Sequence, residues 1–183
     1  EVKLPDYALP ELTLDGAGRR IYIRAGDSLS TLTHLLPFDV ETGQGEEPIY
    51  PASANWTLVA ADSAAGSLLF DWLGPEGRSV RRVDPSGHIL ATRHAPAQGA
   101  LYALPGGPVV ALDRGRHRAC VYDPGTLQPV QQVTLGIEIR DLAADPQGER
   151  VYLNDSAGRL HVLDARTWQE QATLPAGSGP LTL

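Results

Sequence analysis

Apolar and polar positions along this chain fall into short runs separated by turn-forming residues. No run keeps an i, i+3, i+4 apolar spacing beyond one helical turn. The clearest stretch covers residues 139–175. Four short strands parse there, 139–148 with its closing Asp-Pro-Gln-Gly turn, 149–155, 158–164 and 170–175, with Thr167 in the last turn. Alternation within these segments is imperfect, and strands covered on both faces read in that way.

The same pattern recurs. Leu12-Thr13-Leu14-Asp15-Gly16-Ala17-Gly18-Arg19-Arg20-Ile21-Tyr22-Ile23 lies over residues 142–153 without a gap, and the apolar positions, the Asp, the Gly and the Tyr coincide. The second copy shows Val59-Ala60-Ala61-Asp62 and Leu68-Leu69-Phe70. The third shows Leu101-Tyr102-Ala103-Leu104 and Val109-Val110-Ala111-Leu112-Asp113. The back half of each copy is stricter: a third strand ends in Asp39, Asp84, Asp123 or Asp164, followed within three or four residues by Thr or Gly. These Asp residues are 45, 39 and 41 positions apart. A carboxylate there accepts backbone N–H groups two or three residues on and closes the turn into a fourth strand. A period of roughly 40 residues with four strands per repeat predicts an all-β chain, a β-propeller with about four four-stranded antiparallel blades at approximately 9–51, 54–96, 99–136 and 138–175.

Arg150-Val151-Tyr152-Leu153-Asn154 and Arg20-Ile21-Tyr22-Ile23, with the Asp145-Pro146-Gln147-Gly148 turn and the Val162-Leu163-Asp164 strand, resemble the signature of YVTN-type β-propeller repeats. The resemblance is close in the first and fourth copies, partial in the second and third, and spans nearly the whole chain. It implies a seven- or eight-bladed ring, of the kind found in solute-binding envelope proteins, dehydrogenase subunits and lactonases. The cell envelope or secretion is then favoured over the cytoplasm. WD-type repeats are similar in architecture, but no Trp-Asp pair ends a third strand here.

Both ends carry the repeat. Residues 2–5 match 172–175, which close the fourth blade, and 179–183 match 9–14, which open the first. The expectation is an incomplete ring, completed by further blades of the same chain or by a second copy. The chain begins at Glu1 and contains no Met, so its natural start is expected elsewhere.

Composition narrows the partners. The net charge of −7, from 15 basic and 22 acidic residues, argues against nucleic-acid binding, which needs a basic footprint. No apolar run reaches the length of a membrane-spanning helix. Lys3 is the only Lys among 15 basic residues, a bias that fits a GC-rich genome. The one cysteine, Cys120, sits in an apolar strand and reads as an inert buried thiol. The Arg114, Arg116, His117 and Arg118 cluster falls where a hairpin turn is expected.

Nothing in the residue pattern assigns catalysis, a metal or a cofactor. The five histidines, His34, His88, His94, His117 and His161, lack zinc-ligand spacing, and there is no Gly-x-Ser-x-Gly elbow. Polar positions on the innermost strands, where a ligand in a central channel would be met, are Glu11, Asn55, Glu138, Arg140 and Asp141. Glu11 and Asp141 occupy equivalent repeat positions, and the plainer reading is a rim or turn role. Trp72, in a long hairpin, is a candidate binding anchor, as is Trp168; the plainer reading packs each against a neighbouring blade. The ligand-binding candidates are therefore Glu11, Trp72, Glu138, Arg140 and Asp141. The function expected is a non-enzymatic scaffold that binds a protein or small ligand on one rim, with an enzyme subunit and a structural cell-surface repeat as the rivals. An exposed aromatic patch on a rim would favour the scaffold.

Overall fold

The computed structural model describes residues 11–15, 18–26, 33–49, 56–62, 67–96, 99–104 and 107–176. The terminal repeats at 2–5 and 179–183, Asn55, and the glycines at 106, 177 and 179 lie outside them. Every named strand is antiparallel to its neighbour, and the described residues contain no α-helix, only a 3-10 turn at Arg114–Arg116.

The strands form four sheets, in two compact units, 1–94 and 95–183. In the first unit, blade one contains β1 (Glu11–Leu14), β2 (Arg20–Gly26) and β3 (Thr33–Asp39). Blade two contains β4 (Trp56–Asp62), β5 (Ser67–Gly74), β6 (Gly77–Val83) and β7 (Ile89–His94). In the second unit, blade three contains β8 (Leu101–Ala103), β9 (Val109–Asp113), β10 (Arg118–Tyr122) and β11 (Pro129–Thr134). Blade four contains β12 (Ile139–Ala144), β13 (Arg150–Asp155), β14 (Arg159–Asp164) and β15 (Glu170–Pro175). Within each sheet the strands pair in chain order.

Blade one departs from the expected four full strands. Its fourth position is held by single bridges, Leu35 with Ile49 and Phe38 with Gly45, rather than by a continuous ladder. The segment between them, Glu46-Glu47-Pro48, offers no N–H at Pro48, and proline interrupts a ladder. Glu46 still ties back, through its N–H to the Pro37 carbonyl (2.8 Å) and its carboxylate to Arg20 Nε (2.8 Å).

The repeated Asp residues close the turns by side-chain hydrogen bonds. Asp39 Oδ1 accepts Thr42 N–H (2.7 Å) and Thr42 Oγ1–H (2.9 Å). Asp123 Oδ1 accepts Thr126 N–H (2.7 Å) and Oγ1–H (2.8 Å), and Asp164 Oδ1 accepts Thr167 N–H (2.8 Å) and Oγ1–H (3.0 Å). Asp84 belongs to a shorter turn, accepting Ser86 and His88 N–H (both 2.9 Å). Asp15 and Asp145 do the same for the first hairpins of blades one and four, accepting Arg19 N–H (2.6 Å) and Glu149 N–H (2.7 Å). Donors aimed at a carboxylate favour its charged form. The carboxyls of Asp39, Asp84 and Asp164 are accordingly held below the usual range, chiefly by the N–H groups of Thr42, His88 and Thr167.

The residue after the turn Thr takes a left-handed backbone. It is Gly43 in blade one (φ 68°), but Leu127 (φ 54°) and Trp168 (φ 59°) in blades three and four, both buried. A left-handed non-glycine residue carries a backbone penalty, and burial of a large side chain offsets it here. Gly99 is demanded for a different reason: a Cβ there would stand 1.7 Å from the Leu112 carbonyl oxygen.

Each unit has its own core. In the first, Trp56, Leu58, Leu68, Phe70, Trp72 and Val83 of blade two meet Tyr22, Leu35 and Ile49 of blade one, with Trp56 and Phe70 edge to face at 5.1 Å. In the second, Val110, Leu112, Ala119 and Val121 of blade three meet Leu142, Val151, Leu153 and Leu163 of blade four. β9 is buried along its whole length, whereas β11 and β15 are almost wholly exposed, the gradient expected from middle to outer strand.

Candidate functional site

The sequence candidates of the second unit gather at one end of it. A register shift between Ile139 and Asp141 bends the start of β12, as bulges do. Asp141 Oδ1 accepts the Tyr102 hydroxyl (2.8 Å) from β8 and also the Leu142 N–H (2.9 Å). Burial raises the Tyr102 phenol to about 12, and its hydrogen bond to Asp141 adds to the shift. Asp141 thus joins two inner strands of neighbouring blades.

Beside this bond the surface is charged. Arg114, at the β9–β10 turn, donates from Nη2 to the Arg140 carbonyl, and Ser156 N–H donates to the Glu138 carbonyl (2.9 Å). The β9–β10 turn, the β13–β14 turn and the entry to β12 therefore share one end of the unit. Exposed there are Arg114, Arg116, His117, Glu138 and Arg140. Arg118 is engaged, with Asp113 (2.9 Å) and Gln132 (3.1 Å). The cluster read from sequence as a solvated turn is a turn, and His117 closes it with a left-handed backbone.

The other candidates lie apart. Glu11 is placed on β1 with its backbone opposite Arg24; its side chain is outside the description. Trp72 is not a loop-tip anchor. It lies within β5, buried in the first core, with the Arg81 guanidinium 3.9 Å over its ring. The hairpin begins two residues later than its sequence position suggested. Trp56 and Trp168 are buried too, and among the described residues no aromatic side chain is exposed. The exposed side chains named at the end of the second unit are charged or imidazole groups, whereas the β5–β6 hairpin of blade two exposes Leu73.

The sequence places His161 within a central strand, hydrogen-bonded in the core, but does not name its partners. His161 is buried on β14, its Nε2 3.0 Å from Asp155 Oδ2 and its Nδ1 3.3 Å from both Glu170 Oε2 and Thr173 Oγ1. Asp155 also accepts Ala157 N–H (2.9 Å), Arg159 N–H (2.8 Å) and Arg159 Nε–H (2.8 Å). Burial works to raise the Asp155 carboxyl, but the bonds from His161 and Arg159 outweigh it and hold the group well below the usual range. Thr173, His161 and Asp155 have the residue types of a nucleophile, base and orienting acid. The Thr173 hydroxyl, however, donates to Glu170, so its proton is not directed at the imidazole. The cluster serves to pin the exposed strand β15 to its sheet.

An acid before the second hairpin and an Arg after it recur in three blades: Asp71 with Arg78, Asp113 with Arg118, and Asp155 with Arg159. The spacings of seven, five and four residues differ with the turn, which hides the repeat from a fixed-period reading. Among the described residues no group of three His, Cys, Asp or Glu side chains could hold a metal ion, and no helix is long and apolar enough to cross a membrane. Cys120 is half-buried and unpaired in a disulfide.

No family model and no curated protein matches this chain. Among solved structures, the chain is similar to the β-propeller domain of Cps50 (Swd1) from Myceliophteria thermophila, at 15% identity and a TM-score of 0.66. The match covers 96% of this chain and 58% of that one, so the chain spans somewhat over half the length of the structure it matches. At this identity the likeness defines the fold alone, a β-propeller, of which the described residues form four antiparallel blades.

Proposed function

We propose that this chain is a non-enzymatic scaffold built of YVTN-type repeats, which binds a protein segment on the rim of blades three and four. The observation that carries the reading is the exposed charged end formed by Arg114, Arg116, His117, Glu138 and Arg140, set on the Tyr102–Asp141 bond. Of the three guanidinium groups, Arg114 is held by its bond to the Arg140 carbonyl and Arg116 lies 3.7 Å from Asp113. Groups partly ordered before binding meet a carboxylate at reduced ordering cost. The partner chemistry that fits is an acidic peptide segment, which the net charge of −7 on the chain as a whole would otherwise repel. The repeat family is supported by the matched turns of Asp15 and Asp145 and by Tyr22 and Tyr152 at equivalent strand positions.

The test is affinity capture from a lysate of the source organism, comparing the unaltered chain with Arg114→Glu/Arg140→Glu. The expected result is a defined set of proteins retained by the first and lost by the second, with weaker retention at high salt. Identical retention by both would overturn the reading.

A further inference from the structure

We propose that His161 is a pH-operated latch on the outer strand of blade four: the protonated imidazole holds β15 through Glu170, and the neutral imidazole releases that end of the strand. The ring is buried on β14 between two carboxylates. Its Nε2 is 3.0 Å from Asp155 Oδ2 and its Nδ1 is 3.3 Å from Glu170 Oε2. An ionised carboxylate only accepts. Both contacts are therefore hydrogen bonds only when both ring nitrogens carry a proton, as in the imidazolium.

A bulge aims Glu170 at the ring. Along β14 and β15 the ladder runs His161 with Thr173, Val162 with Ala172, and then Leu163 with Glu170, so Gln171 drops out of register. Without the shift Gln171 would take the place beside Thr173 on the face of His161. The same bulge occurs in blades two and three. There the residues equivalent to His161 and Glu170 are Arg81 with Ile89 and Cys120 with Pro129. Among the four-stranded blades, only blade four pairs an imidazole with a carboxylate across it.

The neutral ring has one proton for two acceptors. The Asp155 side chain is 3% exposed and that of Glu170 53%. Losing a donor costs a buried carboxylate more than one that water reaches. The remaining proton stays on Nε2, and Nδ1 turns a lone pair towards Glu170. Thr173 supplies the replacement: its hydroxyl donates to Glu170 and also lies 3.3 Å from Nδ1. Rotated, it serves the bare nitrogen, and Glu170 loses both donors to water. The Glu170 carboxyl is held below the ordinary range chiefly by the Thr173 hydroxyl and also by His161, with burial opposing them. The charged groups facing the ring are Asp155 of β13 and Glu170 of β15, with Arg159 of its own strand bound to Asp155. Leu153 and Leu163, on the same face, lead into a core to which blade three contributes the apolar Val110, Leu112, Ala119 and Val121. Since β15 is exposed along its whole length, little burial competes with the latch.

The experiment is hydrogen exchange by mass spectrometry on the 183-residue chain, across about pH 5 to 8. Each rate is divided by the intrinsic rate at that pH, and the His161 ring is followed by NMR in the same samples. Protection over residues 170–174 is expected to fall about two- to fivefold as the ring loses its proton, the size of one partly exposed ion pair. β11, the outer strand of blade three, should show no step. Glu170→Gln, at an exposed side chain, should remove the step from β15. Thr173→Val should keep it, because the ion pair does not need the hydroxyl. Equal protection of β15 on both sides of the ring's titration would overturn the proposal. So would an undiminished step in Glu170→Gln, or a step shared by β11.

Discussion

Leu127 offers a sharp test of the turn argument. It is buried, and its backbone is left-handed at φ 54°. Truncating it to Ala should cost about 2–5 kcal/mol, as for other buried leucines, and should leave the backbone penalty in place. Going on to Gly removes one further methyl, about 0.8 kcal/mol, and frees the unfolded chain by about 0.5–1 kcal/mol. It also relieves a left-handed penalty of about 1–2 kcal/mol. The losses and the gain nearly cancel, so Leu127→Gly and Leu127→Ala should be equally stable to within about 0.5 kcal/mol. Leu153 is the control. It is fully buried on β13 in an ordinary strand conformation, and there Gly should fall below Ala by about 1–2 kcal/mol. Equilibrium urea unfolding of the four variants, followed by far-UV circular dichroism, measures both gaps. A gap at Leu127 as wide as that at Leu153 would refute the claim that burial at this turn is bought against backbone strain.

Three further outcomes are expected. Asp155 is depressed in the folded state, so it contributes stability above the ordinary carboxylate range that is lost as pH falls through its folded value; Asp155→Asn should flatten the acid limb of a stability profile measured by urea midpoint. Tyr102 is raised to about 12, so its contribution is full below the ordinary phenol range and disappears as pH rises towards 12; Tyr102→Phe should flatten that alkaline limb, and an unchanged profile would count against the buried Tyr102–Asp141 bond. No ligand set is assembled among the described residues, and elemental analysis of the purified chain is expected to show no stoichiometric zinc or calcium.

The sequence determined what is settled within a few residues. The turn at Asp164 is made by hydrogen bonds that reach no further than Thr167 and Gln169, so residue types and spacing predict it, and three such turns with the shorter one at Asp84, at a period near 40, predict the blades. Antiparallel pairing in chain order follows from the same short connections. Coverage was decided by the tertiary structure. Leu12 and Leu142 are the same residue type at the same repeat position, yet Leu12 is exposed while Leu142 is buried in the core shared with blade three. Trp72 reads as a hairpin residue until the register of β5 with β6 extends the strand to Gly74. His161 reads as a hydrogen-bonded core residue of a central strand, but its partners, Asp155 six residues before it and Glu170 nine after, are set by the two ladders that bring them together. Local hydrogen bonds are encoded locally, whereas burial and ion pairing depend on which strands and blades the folded chain brings into contact.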